Sequence, residues 1–121
     1  MNITLQLILL LSLKHFIIDS PLQGPFQYRN KGTYAHAGGL LHSGLHGIGT
    51  VLVLCWYAPY ASFIFGIVDF VVHYHIDWAK VNINKKLGWG PTTHEQFWWL
   101  LGLDQLLHTL TYIAFVCMIT T

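Results

Sequence analysis

Four apolar stretches dominate this 121-residue sequence: Ile3–Asp19, 40–57, 61–78 and 97–119, each of 17–23 residues. A helix rises about 1.5 Å per residue, so these lengths match a hydrocarbon core about 30 Å thick once tilt and interfacial flanks are allowed. Charge is too scarce for the alternative. Only 9% of residues are charged against 54% hydrophobic, whereas a soluble domain carries about 25% charged residues to cover itself. The sequence therefore predicts one all-α domain, residues 1–121, folded as an integral membrane four-helix bundle. The N-terminal stretch lacks a basic leader and a small-residue cleavage site and ends in Lys14-His15, so it reads as a retained helix rather than a signal peptide.

Segments two and three meet at a tight turn around Ala58-Pro59, while residues 20–39 and 79–96 form longer connections rich in Gly, Pro and Asn. Arg29, Lys31, Lys80, Lys85 and Lys86 all fall in those two connections and none in the short turn. The positive-inside rule then puts both long loops in the cytoplasm and both termini outside it. Trp78, Trp89, Trp98 and Trp99 flank the spans on the loop side, and Trp56, Tyr57 and Tyr60 flank them on the other. Gly39, Ser43 and Gly47 recur every four residues, a spacing that lets helices approach closely in lipid. Cys55 and Cys117 sit in apolar runs with no CxxC and read as small core residues. A net charge of +1 gives no reason to expect a nucleic-acid partner.

The eight histidines outnumber both the acids and the bases. His and Asp together make up 12 of 121 residues, and random placement gives about one pair four apart. Five occur: His15/Asp19, His42/His46, Asp69/His73, His73/Asp77 and Asp104/His108. Residues four apart share a helix face, so each pair aims at one point. The pairs end segments one and three and begin segments two and four, which places them all in one layer next to the long loops. They also repeat. His15-x-x-x-Asp19 returns as His73-x-x-x-Asp77, and His42-x-x-x-His46 returns as Asp104-x-x-x-His108. Two helical hairpins in the same orientation, related by an internal pseudo-repeat, account for this.

An ionisable side chain at mid-bilayer costs about 2.5–3.5 kcal/mol on insertion scales, so these groups must face one another or a wet cavity. Asp and neutral His could hydrogen-bond one another there as a metal-free or proton-conducting network, and a divalent cation would equally offset the carboxylate charge. His15, Asp19, His42, His46, His73, Asp77, Asp104 and His108 are the predicted metal ligands. Eight donors suit two ions better than one. Imidazole with carboxylate favours Zn, then Mn, Fe or Ni, over Mg or Ca. Asp69 lies one turn deeper than His73. It reads as a ninth ligand, as an acceptor behind an imidazole N–H, or as a catalytic proton acceptor. His75 points away from His73. His36 and His94 lie in the loops as solvated or lid residues. Glu95, after Thr92, Thr93 and His94, suits the first turn of a helix. There is no Walker loop, nucleophile elbow or Rossmann fingerprint.

The run L-K-H-F-I-I-D-S-P-L-Q followed by Y-R-N-K, with L-L-H-S-G-L-H-G, H-Y-H-I-D and L-D-Q-L-L-H after it, resembles an uncharacterised bacterial and phage membrane-protein family of unknown function. The resemblance extends over nearly the whole chain. Its motif positions fall on His15, Asp19, Gln23, Arg29, Asn30, Lys31, His42, His46, His73, Asp77, Asp104, Gln105 and His108. It implies a bacterial inner-membrane setting. A looser similarity, of style rather than ordered residues, is to membrane-bound metal-dependent hydrolases. On that basis two ions would activate a bridging water and polarise a phosphoryl or acyl group of an amphiphilic, phosphate-containing substrate. Arg29, Lys31, Lys85 and Lys86 would attract its head. Metal transport or sensing is the alternative, and so is a metal-stapled protein that binds a membrane-protein partner or a second copy of itself.

Overall fold

The computed structural model describes residues 1–121, and it is all-helical: α1 (Ile3–Asp19), α2 (Pro25–Tyr28), α3 (Ala37–Leu54), α4 (Ala61–Leu87) and α5 (Glu95–Thr120). The four long helices close a ring in which α1 touches α3 and α5, and α4 touches α3 and α5. Two of them, α3 and α5, are long and apolar enough to cross a membrane, with mean hydropathies of 1.3 and 1.4. The other two fall short for identifiable reasons. α1 has 17 residues, and α4 carries Asp69, His73, Asp77 and a polar C-terminal third.

α4 runs well into the stretch expected as a second loop. Residues 79–87 mix polar with apolar side chains and contain neither Gly nor Pro, so the helix leaves the apolar layer without ending. It stops at Gly88, which turns left-handed at φ 67° while the Trp89 N–H returns to the Asn84 carbonyl at 2.9 Å, the Gly-dependent helix stop. α3 starts three residues early because the His36 imidazole accepts the Gly38 N–H at 3.0 Å. His36 is thus a cap rather than a free loop residue. Short α2 divides the first connection, starting at a proline in the first helical position.

The α3–α4 crossing is the tightest. A Cβ built on Gly47 would sit 2.7 Å from the Gly66 carbonyl oxygen and 3.1 Å from the Phe70 Cβ. The Gly66 backbone cannot retreat from it, so Gly47→Val is expected to cost about 1–3 kcal/mol. A lower melting temperature in detergent checks this, and an unchanged one would show that the crossing yields.

The interior is stratified. Away from the long connections, Leu7, Leu11, Leu54, Phe65, Tyr112, Phe115 and Val116 form one apolar cluster. Toward the connections the interior is polar: Lys14, His42, Ser43, His46, Thr50, Asp69, His73, Asp77, Asp104 and His108 are all buried. Large apolar side chains such as Phe16, Ile48, Leu52, Ile64, Ile67 and Leu106 face outward. The cysteines do not join the core as expected. Cys55 is half-buried and Cys117 exposed, because the face of α5 that carries Cys117 turns away from the bundle.

Candidate metal centre

The last turn of α1 and the second and third turns of α3 bring three donors together. Asp19 Oδ1 lies 3.0 Å from His42 Nε2 and 2.9 Å from His46 Nε2. From α4, His73 Nε2 lies 3.7 Å from the same oxygen and 3.2 Å from His42 Nε2. Four donors sharing a tetrahedral ion at the 2.0–2.1 Å of zinc–nitrogen and zinc–oxygen bonds stand about 3.3 Å apart. The separations found bracket that value. Asp19, His42, His46 and His73 form one group able to hold an ion, and His73, Asp77 and His108 form a second.

His42 carries the clearest signature. Its Nδ1 faces Gln27 Oε1 at 3.0 Å, while Gln27 Nε2 donates to the Leu22 carbonyl at 3.0 Å. That second bond orients the amide, so His42 Nδ1–H donates to Gln27 and Nε2 is the ring nitrogen turned toward the carboxylates. Nε2 faces Asp19 Oδ1 at 3.0 Å and Asp77 Oδ2 at 3.4 Å. A divalent cation or a proton between this nitrogen and the carboxylates would satisfy both sides of the contact. Gln27→Leu is expected to weaken metal affinity about 10–100-fold with helicity unchanged, as loss of such outer partners does. Competition with a chromophoric chelator measures this; equal affinity would mean that Gln27 does not set the His42 tautomer.

Around these donors the two halves repeat their contacts. His15 Nε2 lies 3.1 Å from Asp19 Oδ2, and His73 Nε2 lies 3.3 Å from Asp77 Oδ2. His46 meets Asp19 Oδ1 at 2.9 Å, and His108 meets Asp77 Oδ1 at 3.3 Å. The rings of His46, His73 and His108 stack at centroid distances of 3.6 and 4.0 Å. His15 itself stands behind Asp19. Its Nε2 also faces Gln105 Oε1 at 3.1 Å, and its Nδ1 faces the Tyr112 hydroxyl at 3.1 Å. Asp104 stands behind His108 at 3.5 Å.

Three lysines complete the layer. Lys31 pairs with Asp77 Oδ2 at 2.8 Å and Lys80 with Asp104 Oδ2 at 3.3 Å. Lys14 pairs with Asp69 Oδ2 at 2.8 Å. The Thr50 hydroxyl also donates to Asp69 Oδ2 at 2.5 Å, and Lys14 Nζ donates to the Tyr112 hydroxyl at 3.0 Å. Asp69 is therefore engaged by Lys14 and Thr50 rather than by an imidazole. Lys31, expected at the mouth, is buried, whereas Arg29, Lys85 and Lys86 remain exposed. Of the four carboxylates, Asp19 alone has no lysine in ion-pair range, and His15, His42, His46 and His73 surround it. Four carboxylates and three ammonium groups leave the layer one positive charge short with neutral imidazoles.

A polar cleft of about 370 Å³ opens onto this corner, lined among others by His15, Asp19, Gln23, Lys31, Lys80 and Gln105. His75 sits outside the cluster, against the Tyr34 hydroxyl at 3.0 Å. His94 and Glu95 are exposed at the start of α5, and His94 makes no side-chain cap. Sequence reasoning missed Lys14, Gln27, Thr50 and Tyr112. Gln27 sits in a connection with no periodicity to mark it, and Lys14 beside His15 reads as the end of a span.

The family model described as "Protein of unknown function (DUF3307)" matches residues 5–121, and the chain belongs to that family. No curated protein and no solved structure matches it. The family's description assigns no reaction, and nothing in these comparisons points to a hydrolase.

Proposed function

We propose that this DUF3307 protein lies in a membrane as a four-helix bundle and holds one divalent transition ion with Asp19, His42, His46 and His73. The ion would serve hydrolysis of a phosphoryl or acyl group on a membrane amphiphile. The observation that carries the metal is the convergence of His42 Nε2, His46 Nε2 and His73 Nε2 on Asp19 Oδ1 at 3.0, 2.9 and 3.7 Å. The membrane part is supported by the inverted distribution of side chains. Thirteen of the 26 buried residues are polar or charged, while Trp56 and Tyr60 are 86% and 93% exposed. Water would not tolerate that apolar surface, and lipid favours it.

The charge count favours one ion over two. Lys31 and Lys80 already neutralise Asp77 and Asp104, the carboxylates of the second group and its flank. A divalent ion in such a site polarises a phosphoryl or carbonyl oxygen and acidifies water. Catalysis needs a coordination position open to the cleft. His73, the donor farthest from Asp19 Oδ1, is the one whose absence from the shell would open it. Transport is disfavoured because the apolar cluster of Leu7, Leu11, Leu54, Phe65 and Phe115 closes the interior beyond the polar layer.

A metal-free network is the second reading, and two contacts favour it. His73 Nδ1 is buried with no hydrogen-bond partner, whereas ligating imidazoles donate from the far nitrogen. Lys14 Nζ, a pure donor, lies 3.4 Å from His46 Nδ1. A proton on His42 would then supply the missing charge.

Elemental analysis of protein purified in mild detergent separates the two. One equivalent of zinc, manganese, iron or nickel per chain is expected, and a metal-free preparation that melts like the loaded protein would sink the metal reading. Cobalt substitution then tests the open position. A visible spectrum that shifts on adding inorganic phosphate supports hydrolysis, and an unresponsive one supports a structural ion.

A further inference from the structure

The α4–α5 interface differs from the α3–α4 interface. No glycine pair interlocks it, and Leu103 and Leu107 face Val72, Ile76 and Ala79 across a crevice of about 450 Å³. That volume lies within the roughly 300–1,000 Å³ of ligand sites. The crevice is mostly apolar, but His75, Lys80 and Asp104 also line it. Lys80 lines the polar cleft as well, beside His15, Asp19 and Lys31. The two cavities therefore meet at a single ammonium group, one apolar and the other polar and open to the candidate metal centre.

We propose that this pair of cavities seats one anionic phospholipid, its acyl chain in the α4–α5 crevice and its phosphate at Lys80. From Lys80 to Val71 the crevice follows α4 for about 13 Å toward the bundle's apolar end, and the outward faces of both helices are apolar. A chain can thus enter sideways from the bilayer without crossing a polar surface. Charge selects the head. Asp19, Asp69, Asp77 and Asp104 against Lys14, Lys31 and Lys80, with one divalent ion added, leave the layer at +1, which favours an anionic phosphate head. The inference rests on the membrane metal-centre reading and names the substrate class that reading leaves open.

The test uses the full chain in dodecyl maltoside, titrated by native mass spectrometry with 1-oleoyl lysophosphatidate and with 1-oleoyl glycerol, which has the same chain and no phosphate. One lysophosphatidate is expected to bind at least tenfold more tightly than the glycerol. Ala79→Trp, which fills the crevice, is expected to weaken lysophosphatidate binding at least tenfold with the melting temperature retained. Lys80→Met is expected to erase the preference for phosphate while keeping the chain bound. Should Ala79→Trp not fold, Leu103→Trp fills the same crevice from the opposite wall. Equal binding by a folded tryptophan variant, or no preference between the two lipids, overturns the proposal. Metal content of the same samples keeps the two ideas apart. A loaded protein whose lipid binding ignores the crevice variants overturns the lipid site alone. Crevice-dependent binding by metal-free protein overturns the metal reading alone.

Discussion

Asp19→Ala is expected to abolish binding of the proposed ion, while His108→Ala keeps it. Asp19 is the only carboxylate within ion-pair range of the three converging imidazoles of His42, His46 and His73 and of no lysine. Its removal takes away a ligand and the only unbalanced negative charge in the layer. Affinity should fall by well over the roughly 10–100-fold that loss of an outer partner costs. Stability should fall with it, since an ion present at 100 times its Kd contributes about 2.7 kcal/mol to the folded state. His108 belongs only to the second group, where Lys31 and Lys80 already serve the carboxylates. Metal per chain and melting temperature, measured on both variants, decide the matter. If His108→Ala loses as much metal as Asp19→Ala, the centre is dinuclear.

The second large effect concerns the buried pair one turn deeper. Lys14 and Asp69 have side-chain exposures of 6% and 2% and lie 2.8 Å apart. Removing either partner alone strands a charge in a low-dielectric interior, at a cost of about 3–5 kcal/mol. Lys14→Met and Asp69→Leu should each unfold far more readily in mixed micelles. The double variant should recover most of the loss, because replacing both members of a buried pair by apolar residues is often neutral or better. Single variants as stable as the parent would show that the pair is solvated. Metal content of the double variant bears on Asp69 as a proton acceptor. Retained metal with lost hydrolysis would favour that role, and retained hydrolysis would exclude it.

The helix faces were legible in the sequence because the four-residue spacing of His and Asp is set by helix geometry alone. It marks His42, His46, His73 and Asp19 as neighbours. It did not separate His15 and Asp104 from the convergent donors, because residues that share a face still differ in which atom reaches the centre. His15 turns its Nε2 to Asp19 Oδ2 and Gln105, and only packing decides that. The buried lysines were opaque for another reason. Lys31 and Lys80 sit where basic residues mark membrane orientation, and the same residue type also neutralises a buried carboxylate. The end of α4 was misplaced because Asn82, Asn84 and the lysines look like loop composition, whereas Gly88 is the physical stop.

The connection between α1 and α3 holds the centre by two side chains, Gln27 on His42 and Lys31 on Asp77. Both contacts reach inward from backbone at the edge of the bundle. Occupation of the centre and the conformation of residues 20–36 are therefore linked in both directions. Displacing this connection outward would remove the Gln27 amide from His42 and the Lys31 ammonium from Asp77 together, so a single backbone movement would strip the proposed centre of both supports.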